Sequence, residues 1–511
     1  MPVQVGETLS IEDVVAVARG EPAELSMGAE SRMLASRAVV EERVAAGDTV
    51  YGVTTGIGSL ATVRIDPEQA ARLQHDIVQS HATAVGPPLS RREARAMLLL
   101  RAHVLALGRS GVRPVIVRRM IDMLNRDLIP AVPEQGSLGA SGDLAPLAHL
   151  ALPLLGKGEI LAGDSSTGAR AAAEVLLEAG LEPLALQAKE GLALVNGTQG
   201  MLAVGALAAS RAATLAKTTD IAAAMSVEAA LGTDRAFDER LQQLRPHPGQ
   251  AASAANLRRL TAGSEIIASH RESGHLVQDA YSLRCAPQVQ GAMRDVLAFC
   301  RGVLEREMAS VSDNPVVFAE TGDVLSGGNF HGQPVAVALD ALAIGVVAMA
   351  SISERRLFRL LDPTLSNGLP AFLVKESGLN SGFMLAQYTA ASLVSESKSL
   401  AHPASIDSIT SSAGQEDHVS MGMTSARHAR ACVSNAEVVV ALEVLGAAQA
   451  LDLRAPDRPG AGSAAALAAV RDAVAFLEED REIRLDIAAA IDLVRERTLV
   501  AAVEAAVGAL D

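Results

Sequence analysis

Residues 136–150 read GSLGASGDLAPLAHL, and this stretch carries more information than any other part of the chain. Its glycine content indicates a tight turn, because a residue such as Gly142 has no Cβ and tolerates backbone angles closed to other residues. Asp143 suits the N-cap of a helix, and Pro146 is tolerated in the first helical turn. The stretch therefore predicts a turn that runs directly into a helix.

A glycine-rich turn of this kind has two ordinary interpretations, a structural turn and a phosphate-binding loop. Phosphate loops follow Gly-x-x-x-x-Gly-Lys-Ser/Thr or Gly-x-Gly-x-x-Gly, and residues 136–150 contain neither spacing. A structural turn and a chemically specialised loop both stay open on this stretch alone. The rest of the chain has to decide between them.

The composition predicts an all-α fold. Of the 511 residues, 49% are hydrophobic but only 2% are aromatic, and Trp is absent. A core of Ala, Leu, Val and Met suits close helix packing better than a sheet. Long apolar helices are predicted over 201–217, 326–361 and 381–400, and helices that are apolar nearly all round are buried. We expect an elongated bundle of long buried helices, part of whose surface is covered by sister subunits.

The chain is predicted to have two parts that form one unit. Residues 1–200 carry shorter helices, predicted over 67–85, 91–107 and 113–126, and a capping box at residues 10–13. They also carry the loop YGVTTGIG at 51–58, whose three glycines predict a mobile segment. Residues 201–511 carry the long-helix bundle and the C-terminal helices.

Charge and cysteine usage exclude several classes of function. The formal net charge is −15 with no basic stripe, so nucleic acids and anionic membranes are poor partners. Cys285, Cys300 and Cys432 show no CxxC spacing, which fits a reduced compartment and argues against a zinc site. Residues 1–7 lack a signal-peptide pattern, and the longest apolar runs are shorter than the roughly 20 residues of a membrane span. A cytoplasmic protein is expected.

The triplet Ala140, Ser141 and Gly142 resembles the cofactor-forming loop of the histidine and aromatic ammonia-lyases. In that family the glycine nitrogen attacks the alanine carbonyl, two molecules of water leave, and a 4-methylidene-imidazol-5-one (MIO) electrophile remains. The resemblance implies that the same three residues form MIO here. The predicted helix N-terminus beside them would favour developing negative charge.

Six further segments match the family pattern in its order across nearly the whole chain: 51–58, 80–82, 194–199, 278–285, 328–332 and 415–421. The resemblance implies that Tyr51 removes the β-proton and that Arg284 binds the substrate carboxylate. It also implies catalytic roles near the electrophile for Asn196 and Tyr281, and substrate-binding roles for His81, Gln278, Phe330, Met384 and Glu416.

Each of these residues also has an ordinary interpretation. Arg284 could pair with Asp279 about one helical turn away, and Asn196 could be the C-cap of a helix before a glycine. His81 could be a core histidine and Tyr51 a packing residue. A metal site is not expected, because the adjacent residues of the 416–418 run cannot converge on one ion without other ligands. The joint occurrence of the segments in order outweighs the separate alternatives.

The segment QEDH at 415–418 bears on the substrate. This form is typical of the family's histidine enzymes, whereas relatives that act on phenylalanine or tyrosine usually carry Asn-Gln-Asp. An acidic Glu416 favours an imidazole, and His81 suits an imidazole or a tyrosine hydroxyl. The resemblance therefore implies elimination of ammonia from L-histidine, a small amino acid substrate, to give urocanate, in a homotetramer whose active sites draw on several chains.

Two alternatives stay open. The first is an MIO-dependent lyase or 2,3-aminomutase acting on tyrosine or another imidazole-bearing amino acid. The second is an inactive helical paralogue that serves as a partner subunit. The chain departs from the family pattern at Thr54, Ile57, Thr83, Ser397 and Gly414, and we expect these departures to loosen the 51–58 loop and the pocket floor without removing a catalytic atom.

Overall fold

The computed structural model describes residues 2–163, 168–273 and 277–511, except for the side chain of Pro67. Helices dominate these ranges, which confirms the predicted all-α class. The helices are α1 Ile11–Ala18, α2 Met27–Ala45, α3 Ala70–His81, α4 Arg91–Ala106, α5 Pro114–Asn125, α6 Leu144–Ala151, α7 Ala172–Glu178, α8 Glu190–Val195, α9 Gln199–Ala229, α10 Glu239–Gln243, α11 Pro248–Leu260, α12 Glu265–Ser269, α13 Tyr281–Arg284, α14 Ala286–Met308, α15 Gln333–Leu361, α16 Met384–Leu400, α17 Gly422–Asp452, α18 Ala461–Ala473, α19 Ile483–Arg495 and α20 Thr498–Val507.

The strands are three or four residues long and pair two by two. One pair is parallel, and the other three are antiparallel. Such short pairs fasten loops between helices and do not form a sheet core. The pairs are β1 Val3–Val5 with β2 Ala23–Leu25, β3 Val85–Pro88 with β4 Pro133–Gln135, β5 Glu159–Leu161 with β6 Ala169–Ala171, and β7 Val316–Phe318 with β8 Asp323–Leu325.

Most of the predicted helices are present, with shifted ends. The capping box is confirmed, since Ser10 Oγ accepts from Asp13 N at 3.1 Å and Asp13 Oδ2 accepts from Ser10 N at 2.9 Å. Helix α9 runs on to Ala229, well past the predicted end at 217, because residues 218–229 contain no glycine or proline. Helix α15 begins only at Gln333, after the glycines at 327, 328 and 332.

The chain folds into two compact units. Unit 1 comprises Met1–Ser210, Cys300–Asp340 and Pro403–Arg427, and unit 2 comprises Arg211–Phe299, Ala341–His402 and His428–Asp511. These units are discontinuous in sequence, and the division at residue 200 inferred from the sequence stays a prediction.

Unit 1 is built around helix α4, which is buried on nearly every face. Helices α1 and α5 pack against α4, while α3 packs against α6 and α8, and α6 packs against α8. This second group brings together the C-terminal end of α3, the N-terminal end of α6 and the C-terminal end of α8. The functional cavity lies in this unit.

Unit 2 has a buried ion pair of its own. Arg356 donates to both carboxylate oxygens of Glu443, at 2.5 and 2.8 Å, and both side chains are fully buried. Ser226 and Ser353 donate to the same carboxylate. A buried charge needs this number of partners to be tolerated. Elsewhere in unit 2, α11, α19 and α20 pack against α18.

No apolar run in the sequence reaches the length of a membrane span, but two helices of the structure are both that long and that apolar. Helices α15 and α17 have the length and composition of a membrane span. In their most apolar windows, 61% and 78% of the residues are buried inside the structure. Core helices of globular proteins share this burial, so length and composition alone are weak evidence for a membrane.

Candidate active site

A cavity of about 690 Å³ lies in unit 1. All of its lining residues belong to that unit. Seven of the residues predicted to form the site line it together, although they come from segments far apart in the chain: Tyr51, His81, Ala140, Ser141, Asn196, Phe330 and Glu416.

The triplet lies directly before helix α6 and is fixed by the segment around Gly197. Gly197 N donates to Ser141 O at 3.2 Å, and Asp143 N donates to Gly197 O at 2.7 Å. Gly142 has a φ of +73°, and a Cβ on it would lie 2.1 Å from Gly197 O. Both the left-handed backbone and the close approach therefore require glycine at this position.

Asp143 occupies the N-cap position of α6, as predicted, but its side chain does not cap that helix. The carboxylate accepts instead from the backbone N of Met201, the third residue of α9, at 2.7 Å, and from Ser137 Oγ at 2.7 Å. Burial raises the pKa of Asp143 to about 6, against the effect of these hydrogen bonds. The side chain therefore ties the triplet to the beginning of α9.

The loop that carries Tyr51 is held by hydroxyl groups. Tyr51 OH accepts from Gly58 N at 2.9 Å. Thr54 Oγ1 donates to Asp48 O at 2.6 Å and accepts from Val50 N at 2.8 Å. The hydroxyl of Thr54 therefore closes the turn at the base of the loop, and the expectation that this departure loosens the loop stays a prediction.

Ser412 attaches the Tyr51 loop to the segment that carries Glu416. Ser59 N donates to Ser412 Oγ at 3.2 Å, and a Cβ on Gly58 would lie only 2.6 Å from the same oxygen. Ser411 Oγ donates to Glu416 Oε2 at 2.7 Å. Two adjacent serines thus hold the phenol-bearing loop and orient the carboxylate that faces the cavity.

His81 is the last residue of α3 and is half-buried. Its Nδ1 hydrogen-bonds to Ser80 Oγ at 3.1 Å. Burial lowers the pKa of His81, and a backbone hydrogen bond at Ile77 and the charge of Glu416 only partly offset this effect. Its imidazole is therefore neutral at pH 7 and can either donate or accept a hydrogen bond in the cavity.

Asn196 ends helix α8 as its C-cap, which confirms the ordinary interpretation of this residue without excluding a functional one. Arg101 donates to the backbone carbonyls of Ala193 and Asn196. These are among the last carbonyls of α8, which have no partner inside the helix. Burial lowers the pKa of Arg101 to about 10, so it stays cationic behind the cavity.

Two histidines of the cavity wall received no role from the sequence. The rings of His331 and His418 stack with their centroids 5.9 Å apart and an interplanar angle of 5°, and His331 Nε2 donates to His418 O at 3.3 Å.

Among the residues that the structure describes, no group of three His, Cys, Asp or Glu side chains could hold a metal ion.

Four of the predicted site residues belong to unit 2 and do not line this cavity: Gln278, Tyr281, Arg284 and Met384. Tyr281 is 70% exposed, and the Arg284 guanidinium lies 4.6 Å from the centre of its ring. Arg284 Nε donates to the backbone O of Asp279, whose carboxylate accepts from Thr233 N. The alternative of an ion pair between Arg284 and Asp279 is therefore wrong, and the roles assigned to these four residues stay predictions.

Several residues around the site escaped the sequence analysis. Ser411 and Ser412 lie next to the recognised QEDH segment, so a search of its neighbours could have found them. Asp313 and Asn314 contact Asn196 from a turn that a following proline signals, but nothing in the sequence connects the two segments. Contacts across more than 100 residues leave no trace in local periodicity.

Comparison with known proteins adds independent findings. Residues 9–472 match the family model described as aromatic amino acid lyase. A histidine ammonia-lyase of Anaeromyxobacter sp. (strain K) is 56% identical over 497 residues, which cover 96% of this chain and 98% of the relative.

Two solved structures share the fold across almost the whole chain. The crystal structure of histidine ammonia-lyase from Trypanosoma cruzi is 44% identical with a TM-score of 0.92, over 99% of this chain and 96% of that one. The tyrosine aminomutase from Streptomyces globisporus is 39% identical with a TM-score of 0.93, over 99% of both chains. With these matches and the arrangement of the cavity, the chain belongs to the aromatic amino acid lyase family.

Proposed function

We propose that this protein eliminates ammonia from L-histidine to give urocanate, using an MIO electrophile formed from Ala140, Ser141 and Gly142. The observation that carries the proposal is that Ala140 and Ser141 of this triplet line a cavity that also presents Tyr51, His81 and Glu416. The 56% identity to a protein named histidine ammonia-lyase supports the choice of substrate.

The triplet fits the formation of MIO. Neither Gly142 N nor Ala140 O hydrogen-bonds to any residue that the structure describes, so the two groups that the ring closure joins are not engaged elsewhere. The neighbouring Ser141 O and Asp143 N are both held by Gly197. Backbone groups fixed on either side of a tight turn favour closure by reducing the freedom that is lost. MIO, once formed, supplies an electrophile that accepts electron density from the substrate.

Tyr51 removes the β-proton. Its oxygen accepts a hydrogen bond from Gly58 N, which fixes the phenol at the cavity wall. A base must lie within hydrogen-bond reach of the proton that it abstracts, and the loop of Tyr51 forms one side of the space in which the substrate lies.

His81 and Glu416 bind the imidazole ring of the substrate. An imidazole has two polar nitrogens, and each loses water on entering the cavity unless a partner replaces it. Glu416 Oε2 accepts from Ser411 Oγ, while Oε1 hydrogen-bonds to no described residue and is available for a ring N–H. The neutral His81 can serve the other nitrogen.

The active enzyme is a cytoplasmic homotetramer. Ile344 on α15 and Leu385 and Tyr388 on α16 are large apolar side chains exposed on unit 2. Leu385 and Tyr388 are three residues apart and share one face of α16, and an exposed apolar face of this kind is typical of a subunit interface. In an assembly whose sites draw on several chains, four residues of one chain would reach a cavity of another chain: Gln278, Tyr281, Arg284 and Met384. Arg284 would bind the substrate carboxylate there.

The assay incubates the purified protein with histidine, tyrosine and phenylalanine in turn. Urocanate from histidine, detected by ultraviolet absorbance, is the expected product, and the intact mass should be lower than the sequence mass by two molecules of water. The likeness to a tyrosine aminomutase makes a β-amino acid from tyrosine the second candidate outcome. A mass without loss of water would contradict the proposal, and so would the absence of any product.

A further inference from the structure

A buried ion pair that the proposed mechanism does not use lies behind Asn196. Lys189 Nζ is 2.7 Å from Asp313 Oδ2, and both side chains are 0% exposed. Burying two charges is costly, so such a pair gives weak evidence for a purely stabilising role. The second carboxylate oxygen of Asp313 indicates another role, because it contacts Asn196, a residue of the cavity.

The contacts of Asn196 decide the orientation of its amide. Its Nδ2 lies 3.2 Å from Asp313 Oδ1 and 3.0 Å from Asn314 O. Both of these atoms only accept hydrogen bonds, so the NH₂ end of the amide has to face them. The oxygen therefore occupies the opposite end. It is buried, has no partner among the described residues, and belongs to a side chain that lines the cavity and is 2% exposed.

We propose that Asp313, held by Lys189, is a positioning residue that presents Asn196 Oδ1 to the amino group of the substrate. This inference rests on the proposed function. Asn196 and Ser141 line the same cavity, so an amino acid whose nitrogen is directed at the triplet brings its N–H groups to the side of Asn196. A buried acceptor without a donor is unfavourable, and the substrate supplies the missing donor.

The carboxylate of Asp313 is held at both oxygens, which makes it suitable for this task. Oδ2 accepts from Lys189, and Oδ1 accepts from Asn314 N at 2.7 Å as well as from Asn196. Lys189 immediately precedes α8, and Asn196 immediately follows it. Asp313 therefore connects the residues on either side of this short helix, and the ion pair fixes the amide of Asn196 at the C-terminal end of the helix.

The test uses paired variants, because removing one partner alone leaves a buried charge without compensation and can prevent folding. Lys189→Met/Asp313→Leu replaces the pair by apolar side chains that cannot hold the amide. Lys189→Gln/Asp313→Asn removes the charges but keeps an oxygen at position 313 for Asn196 Nδ2. Arg113→Met/Glu190→Leu is the matched control, since it removes another ion pair of α8, 2.7 Å long, that does not contact Asn196.

The kinetic readout is kcat/KM for L-histidine, measured for every variant in the wild-type background and again in the Asn196→Ala background. Lys189→Met/Asp313→Leu is called the Met/Leu variant, and Lys189→Gln/Asp313→Asn is called the Gln/Asn variant. The loss of a hydrogen bond to a charged group predicts that the Met/Leu variant loses about ten- to a hundredfold, while the Gln/Asn variant and the control stay within about threefold of wild type. In the Asn196→Ala background the Met/Leu change should cost less than about twofold, because the residue through which it acts is gone. Losses that add in full in both backgrounds would overturn the proposal.

A crystal structure of the Met/Leu variant gives a readout that does not depend on activity. We expect the Asn196 side chain to leave its wild-type rotamer. An unchanged Asn196 would overturn the positioning role even in an active enzyme. A rotated Asn196 supports that role, and if the wild-type protein produces nothing from any amino acid, the proposed function fails separately.

Discussion

The cavity has two glycine-rich walls that are held in different ways. The segment around Gly142 is fixed by backbone hydrogen bonds to Gly197 and by the buried carboxylate of Asp143. The loop of Tyr51 is held at its buried end by Gln74 Nε2, which donates to Gly52 O at 3.0 Å, and at its exposed end by a single hydroxyl, that of Ser412. Backbone contacts inside a core seldom open, whereas single hydrogen bonds at the surface exchange readily. The first wall is therefore built to stay rigid, whereas the second is able to move at its exposed end.

The largest effect is expected on the rigid wall. Ser141→Ala removes the hydroxyl group that has to leave as water when the methylene of MIO forms, while it changes little packing volume. Turnover should be abolished without a change in Tm, and the intact mass should then equal that of the unmodified chain. Ser326→Ala, at another serine of the cavity lining, should retain both activity and the loss of water. Wild-type turnover in Ser141→Ala would show that the triplet is only a structural turn.

Tyr51→Phe tests the chemistry of the second wall. Removal of a general base predicts a loss in kcat of about 10²–10⁴-fold, with a small change in stability. A Tyr51→Phe variant within tenfold of wild type would transfer the role of base to another residue, for which Tyr281 is the next candidate.

Substitutions of His81 and Glu416, which line the same cavity as the two walls, test which residues select the substrate. Each lost polar contact to the imidazole should reduce kcat/KM for histidine by about one to two decades. His81→Phe and Glu416→Gln should therefore impair histidine turnover while sparing or raising residual activity on phenylalanine. Asp417→Asn, at the exposed neighbour of Glu416, serves as the control. Equal losses on histidine, tyrosine and phenylalanine in the double variant would assign these residues to the chemistry or to the fold.

Asp143 makes the stability of the rigid wall depend on pH. Its folded pKa of about 6 exceeds the ordinary value of 3.8, so the folded state binds the proton more tightly than the unfolded state does. Stability conferred by the neutral carboxyl is fully present below about pH 4 and is lost as the pH rises to about 6, by an amount on the order of 3 kcal/mol.

Asp143→Asn keeps a neutral side chain at every pH and isolates this contribution. The Tm of wild type relative to this variant should fall as the pH rises from about 4 to 6, and it should stay constant above that range. A difference in Tm that is the same at every pH would show that Asp143 does not titrate in this window.

Ser412→Ala should produce the smallest effect and sharpen the contrast between the walls. Loss of a single surface hydrogen bond corresponds to roughly a fivefold change in the population of the closed loop. We expect kcat to fall by a few-fold with an unchanged Tm, together with faster hydrogen exchange at Ser59 N. Ser59→Ala leaves that backbone donor in place and should behave as wild type. Unchanged exchange in Ser412→Ala would mean that other contacts close the loop.

Much of this molecule follows from local patterns in the chain. The capping box at Ser10, the ends of α4 and α5 near their predicted positions, and the turn before α6 all depend on neighbours within a few residues. The triplet and the residues of the family motifs are likewise readable from the chain. By contrast, the extension of α9 and the late beginning of α15 were missed, although the absence of glycine and proline over 218–229 and the glycines at 327, 328 and 332 are local signals for them.

The sequence by itself determined the fold class and the chemical groups of the site, because composition, helix periodicity and motif spacing act over short distances. Only the tertiary structure decided how those groups are arranged. The carboxylate of Asp143 serves α9 and not its own helix, Ser412 holds the loop of Tyr51, and Asp313 sets the direction of the Asn196 amide. Each of these contacts joins distant segments, and packing of the whole unit, which no local pattern encodes, brings the partners within hydrogen-bond distance.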